Sequence, residues 1–177
     1  MKLEDFNEYL ESREKTSMPL LKEEKEKKNI FPSRPDTYSK VEEIESNLFK
    51  NYNIRTSFIE GDHHSKIMFF YGKCGVGDKK ILDGEPGELF DKMLNSINLS
   101  RENIALASYI PRGYESYYDN EKFLNEIQLF NYRIIELINP RYLIIMSNYC
   151  IKMLLATDLS SMSLRGKWFD FNTPNDT

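Results

Sequence analysis

Residues 66–77 read Lys-Ile-Met-Phe-Phe-Tyr-Gly-Lys-Cys-Gly-Val-Gly. The apolar run from Ile67 to Tyr71 has no polar alternation, so it cannot be a strand with one wet face. It fits a strand covered on both sides, as in a parallel sheet flanked by helices. The glycine-rich turn 72–77 follows, and then Leu89, Phe90, Met93, Leu94 and Ile97 recur at helical spacing. Strand, turn and helix in that order open a βαβ unit. Outward from it, residues 103–110 supply a second strand. Residues 120–138 supply a long helix, with Phe123, Ile127, Phe130, Ile134 and Ile138 recurring every three or four positions. Asn139-Pro140 ends that helix. Residues 142–146 (Tyr-Leu-Ile-Ile-Met) give a third buried strand, and Ile151, Leu154 and Leu155 mark a helix after it. The alternation predicts an α/β fold, a three-layer α/β/α domain with a short parallel sheet flanked by helices. Its connections are right-handed crossovers and its site lies at the carboxyl ends of the strands, in the loops after Tyr71, Ile110 and Met146. Before the run, Ser39 is placed to cap a helix carrying Val41, Ile44 and Leu48. Residues 55–60 are β-prone and Gly61-Asp62 is a turn signal, which predicts a hairpin with residues 66–71 as its second arm.

The chain has 177 residues, 40% of them hydrophobic and 29% charged, enough for one cored domain. That domain is placed at residues 39–177, and residues 1–38 read as a charged helix and linker. Leu3, Phe6 and Leu10 share a helical stripe, so residues 1–30 are a candidate surface for a protein partner. The mixed-sign run at 22–28 and then Pro32, Ser33 and Pro35 read as a solvated linker. Mean hydropathy is −0.57, and the apolar runs at 67–71 and 142–146 fall far short of the roughly 18 to 20 residues that cross a bilayer. No membrane association is expected, and with no export leader at the N-terminus the expected location is cytoplasmic. A net charge of −4 leaves any nucleic-acid contact to a local basic face. Cys74 and Cys150 are too few for a disulfide framework and lack metal-ligand spacing, so no metal is expected.

From residue 46 to residue 171 the pieces of the chain arrive in the order of a known family. They are Asn53-Ile-Arg-Thr-Ser-Phe-Ile-Glu-Gly-Asp62, the strand 67–71 running into Gly72, Gly84-Glu-Pro-Gly-Glu-Leu-Phe-Asp-Lys-Met-Leu94, and Ile97-Asn-Leu-Ser-Arg-Glu-Asn103. The strand to Pro111, residues 126–140 with Arg141-Tyr-Leu-Ile-Ile, and Leu164-Arg-Gly-Lys-Trp168 follow. In this order they resemble the uracil-DNA glycosylase superfamily, specifically the iron–sulfur subgroup called family four and its bacterial relatives. The resemblance implies a protein of DNA base-excision repair ancestry, an N-glycosidic bond hydrolase if active, with single-stranded or uracil-containing DNA as its partner.

The departures fall on the chemistry. The family's pocket motif is of Gly-Glu-Ala-Pro-Gly type, whereas Gly72-Lys73-Cys74-Gly75-Val76-Gly77 puts a lysine where the acid stands. Leu82 matches the aromatic residue that stacks on the base, and Ser108 matches the asparagine that reads its edge. The basic loop is reduced to Pro111-Arg112-Gly113. The resemblance therefore implies substrate contacts at Gly72, Cys74, Leu82 and Ser108, and DNA contacts at Pro111, Arg112, Tyr114, Arg165 and Lys167. Any surviving catalysis falls to Lys73, Asp78 or Asp83, and Ser108, with Asp positioning water and Lys73 stabilising charge or forming a Schiff base. Asn47, Phe130 and Met146 stand near the places of the cluster cysteines, so no iron–sulfur cofactor is expected. The family's last strand and its histidine loop are also missing before Thr177, which implies a shortened C-terminal end. Losing one preorganised donor costs about 10² to 10³ in rate, and here acid, amide and histidine are all changed. The expectation is a weak or inactive glycosylase-like protein that at most binds DNA. Two other readings stay open: an active DNA glycosylase with a remodelled pocket, and a non-enzymatic protein-interaction module.

Four smaller signals carry two readings each. Residues 72–79 nearly spell a phosphate-binding loop, but Asp78 stands where that motif needs lysine; the other reading is a strand-to-helix turn. Cys74 is either a reactive thiol beside Lys73 or a packed side chain. His63-His64 reads as a solvated turn or half of a metal site. Tyr114, Tyr117 and Tyr118 with Arg112 and Lys122 read as a stacking surface for bases or as an ordinary tyrosine-rich loop.

Overall fold

The computed structural model describes residues 38–53, 57–155, 157 and 159–172; the expectations for the N-terminal helix and linker at 1–37 lie outside them. The first helix, α1 (Val41–Tyr52), buries Val41, Ile44 and Leu48. Ser39 does not cap it as expected. Lys40 is the N-cap, and the Ser39 hydroxyl instead donates to the Glu43 carboxylate, which also takes the backbone N–H of Ser39 at 2.7 Å. Strand β1 (Ile59–Gly61), strand β2 (Ile67–Lys73) and helix α2 (Gly84–Ser96) follow, then strand β3 (Ala105–Ile110) and helix α3 (Glu121–Ile138). Asn120 caps α3 by accepting from Phe123 N at 3.0 Å, and Asn139 closes it in the left-handed region with φ 47°, which asparagine tolerates better than most residues. Strand β4 (Tyr142–Ile145), helix α4 (Asn148–Leu155) and the short helix α5 (Ser161–Leu164) complete the order.

The four strands form one sheet in the order β1-β3-β2-β4. β2 is parallel to β3 and to β4, with Phe70 opposite Ala107 on one side and Ile145 on the other. The α/β class, with helices on a central sheet, is therefore what the alternation predicts, and the sheet is mixed because β1 runs antiparallel on the edge. The expected hairpin is absent. β1 pairs with β3, which separates it from β2. The intervening turn is tied to the start of β3 through Asp62 N to Ile104 O and Ser65 Oγ to Asn103 O. Gly61, at φ 88°, makes that approach possible; a Cβ there would lie 2.1 Å from Ile104 O.

The route explains the layers. From β2 the chain steps to one side to reach β3, and from β3 it returns past β2 to reach β4. Two crossovers of one hand then put their helices on opposite faces. Phe90 and Leu94 of α2 pack with Ile67, Phe69 and Leu106. Phe123, Ile127 and Phe130 of α3 pack with Met68, Phe70, Ala107 and Tyr109, and α1 and α4 join that face. β2 divides its side chains between the two cores, which is why its sequence shows no alternation. The apolar stripe of α2 is wider than the sheet needs: Leu89 and Met93 stay 60% and 59% exposed. No described helix is long and apolar enough to cross a membrane.

Gly87 brings α2 against the loop before it. A Cβ there would lie 1.9 Å from Leu82 O and 3.2 Å from an Arg101 nitrogen. In a free helix Gly→Ala stabilises by about 0.5–1 kcal/mol. Here Gly87→Ala should instead destabilise by roughly 1–3 kcal/mol, the usual cost of overpacking, read as a lower midpoint of urea unfolding. An unchanged or higher midpoint would show that α2 is not so closely seated.

Candidate functional site

The strand order reverses beside β2, so the gap between the carboxyl ends of β2 and β4 is where a crevice is expected in such a sheet. It is filled. A Cβ on Gly72 would lie 2.7 Å from Ser147 Oγ. That hydroxyl accepts from Cys150 N at 3.1 Å, and Cys150 Sγ donates to Tyr71 O at 3.1 Å.

On the other side of β2, the carboxyl ends of β2 and β3 bring four of the expected site residues together. Cys74 and Ser108 are 2% and 0% exposed. The Cys74 thiol donates to Ser108 Oγ at 3.4 Å, and Ser108 Oγ donates to Ile110 O at 2.7 Å. Ser108 thus spends its hydroxyl inside the protein. Burial pushes the Cys74 thiol up from its ordinary value; Ser108 and Arg112 act in the opposite direction and Asp78 with it. A buried, protonated thiol is a poor nucleophile, so of the two readings of Cys74 the geometry is that of a packed side chain. Asp78 Oδ2 accepts from Gly75 N at 2.5 Å, and Asp78 N donates back to Gly75 O at 3.2 Å. Its carboxylate therefore fastens the loop's own backbone, and the near-match to a phosphate-binding loop is a strand-to-helix turn. Asp83 takes Lys79 N and Gly84 N at 2.8 and 2.9 Å as the N-cap of α2, and these backbone donors hold its carboxyl below the usual range.

Lys73 is exposed at the end of β2, with Nζ 4.4 Å from the centre of the Tyr118 ring. Tyr118 donates to Cys74 O at 2.8 Å. Arg112 reaches Asp78 O at 3.5 Å, and its buried Nε has no hydrogen-bond partner among the described residues. Five further candidates lie elsewhere or face inward. Leu82 is buried among Ile81, Phe90 and Leu94. Tyr114 is 0% exposed and stacked on Phe123 at 5.3 Å, so it presents no face to a base. Pro111 is buried. Arg165 and Lys167 are exposed in the turn leading to Trp168, whose ring lies on Tyr142 at the amino end of β4, the opposite end of the sheet from Lys73. His63 and His64 sit in a turn where His64 N donates to Asp62 Oδ1 at 2.9 Å. Among the described residues, no three His, Cys, Asp or Glu side chains are grouped to hold a metal ion.

Sequence reasoning missed Arg101. Its guanidinium donates to Ile81 O and Leu82 O at 2.5 and 2.8 Å and to Asp91 at 2.6 Å, with Glu60 3.6 Å away. It also missed an open groove of about 610 Å³ between α1 and α3, lined by Asn51, Tyr52, Lys122, Asn125 and Glu126. Tyr52 OH and Asn51 Nδ2 already occupy the Glu126 carboxylate, at 2.7 and 3.1 Å. Separation in sequence hides both features. No protein-family model matches the chain, and no curated protein matches it in sequence.

The buried thiols and phenols set the pH response. Burial raises Cys150 from 9.0 to about 12, and Tyr114 and Tyr118 from 10.0 to about 12. A group raised on folding stabilises fully below its unfolded value and loses that contribution as pH rises through the folded one. The melting temperature should therefore hold up to about pH 9 and fall steadily between there and about pH 12, with tyrosinate absorbance appearing together with unfolding. Full tyrosine ionisation in a still-folded chain would contradict the burial of these groups.

Proposed function

We propose that the chain is a uracil-DNA glycosylase-like domain without excision activity that keeps a weak, salt-sensitive hold on single-stranded DNA. The observation that carries this reading is the Cys74–Ser108 contact. These residues match base-contacting positions of the family, and here both are buried and bonded to each other. An enzyme that cleaves a base from deoxyribose must hold the extruded base, align water and stabilise the departing oxygen. Asp78 and Asp83 are engaged with backbone N–H groups, and Ser108 with a carbonyl. The DNA contact rests on Lys73, Arg112 and the Tyr118 ring at one strand edge. Asp78, Glu115 and Asp119 nearby in sequence offset that charge, which keeps the contact weak.

Single-turnover incubation with uracil-containing single- and double-stranded oligonucleotides should leave no abasic sites above a Lys73→Ala control. Single strands should bind with an affinity that falls with salt. Contacts to two phosphates give a slope of about −1.4 in log affinity against log salt, at about −0.7 each. Lys73→Ala combined with Arg112→Ala should abolish that slope. Cleavage would make residues 72–78 a remodelled active loop, and absence of any binding would remove DNA as the partner.

A further inference from the structure

The loop after β2 carries an apolar side chain that the fold leaves in solvent. Val76 is 88% exposed, more than any other large hydrophobic side chain among the described residues. Its backbone is nonetheless fixed. Gly75 to Asp78 form a tight turn in which Asp78 N donates to Gly75 O at 3.2 Å and Asp78 Oδ2 accepts from Gly75 N at 2.5 Å. Gly77, at φ 86°, takes the third position of that turn, where glycine is favoured. The base of the turn is held as well: Tyr118 donates to Cys74 O at 2.8 Å and Arg112 reaches Asp78 O at 3.5 Å, with Lys73 Nζ over the Tyr118 ring. Beside the turn is open space, since a Cβ on Gly77 would meet nothing within 4 Å. Valine adds little freedom of its own, because its branched Cβ restricts χ1. Val76 is thus a stiff apolar tip, and the side chains that hold its base are the ones assigned to DNA.

We propose that Val76 is a wedge that inserts between neighbouring bases of a single strand and gives the chain a preference for weakly stacked, pyrimidine-rich sequences. This role rests on the DNA reading above and adds to it how the strand is discriminated. Below the turn the sheet edge is packed shut, with Cys74 and Ser108 bonded to each other, so a base finds no pocket there and meets the protein on the turn. Phosphates held by Lys73 and Arg112 bring the bases of the same strand against the tip. An apolar side chain placed between two bases gains burial on both sides but must first part them, as apolar wedges do on other DNA-binding surfaces. Parting costs least where stacking is weak. Stacking strength is also what sets the modest pyrimidine preferences of proteins that hold single strands without reading base edges. In a duplex the same insertion must disturb pairing too, so single strands are favoured. A lipid surface is the other partner with anionic and apolar parts, but it requires a broad apolar face, and the neighbours of Val76 in the turn are two glycines and an aspartate.

Strands of equal length, some carrying 2-aminopurine, whose emission rises when it leaves the stack, test the wedge on the full-length chain. Oligothymidine should bind more tightly than oligodeoxyadenosine, and 2-aminopurine flanked by adenines should brighten on binding. Val76→Ser should weaken oligothymidine binding by about threefold to tenfold, remove the preference and leave the emission unchanged, while the salt slope of about −1.4 set by the phosphate contacts stays. Val76→Leu should keep both the preference and the rise in emission. Because Val76 is exposed, neither variant should shift the midpoint of urea unfolding. A chain that binds strands with that slope but leaves 2-aminopurine dark would overturn the wedge and leave the DNA reading standing, and so would a Val76→Ser variant that brightens it as the native chain does. No binding to any strand would remove both. Binding to vesicles of phosphatidylserine and phosphatidylcholine that Val76→Ser abolishes, with no 2-aminopurine response, would assign the tip to a lipid surface and overturn the proposal.

Discussion

One guanidinium holds three parts of the chain in register. Arg101, in the turn between α2 and β3, ties the carbonyls of Ile81 and Leu82, the Asp91 carboxylate of α2 and the Glu60 carboxylate of β1. Glu60 in turn accepts from Ile81 N at 2.7 Å. The Arg101 side chain is only 17% exposed, so these bonds work in a partly water-excluded setting where charge-assisted hydrogen bonds are stronger than on the surface. Leu82 sits at φ 54°, an unfavourable region for a bulky residue, and its carbonyl is held both by Arg101 and against Gly87. The loop from Cys74 to Asp83 is therefore fixed at both ends, by the strand ladder at Lys73 and by this clamp at Ile81 and Leu82. The closed carboxyl edge depends on that fixing.

The fold was largely legible because period and burial agree in the long elements. The stripe from Phe123 to Ile138 needed no tertiary information, and the unalternating run from Ile67 to Tyr71 correctly announced a strand with a core on each side. Where the reading failed, a long-range contact overrode a local signal. Gly61-Asp62 is a turn, but the backbone it meets is that of Arg101 and Ile104, and so β1 went to the far side of β3 rather than to its neighbour in sequence. Leu89 and Met93 share helical spacing with the buried Phe90 and Leu94, and periodicity alone does not say how wide a strip the sheet covers.

The site was less legible for the same reason. That Lys73, Cys74, Asp78 and Ser108 fall at one edge of the sheet follows from the strand–turn–helix order. Whether their polar groups face outward does not follow. Cys74 and Ser108 face each other across neighbouring parallel strands, a pairing fixed by the register of Tyr71 with Ser108. Tyr114 belongs to an aromatic cluster with Tyr52 and Phe123, residues 62 and about nine positions away in the chain. Of the tyrosine-rich loop that looks like a stacking surface in one dimension, Tyr114 is core in three, while Tyr117 and Tyr118 stay partly exposed.

The account turns on an edge that is packed shut, and the chemical accessibility of Cys74 tests it directly. Native protein would be treated with a small thiol reagent at neutral pH, and the modification of the peptides containing Cys74 and Cys150 followed separately by mass spectrometry. The account predicts that both thiols react only as fast as the whole chain unfolds, so that their rates rise together with denaturant. Rapid modification of Cys74 in the folded chain, with Cys150 still protected, would contradict it and would mean that the ends of β2 and β3 enclose an open pocket.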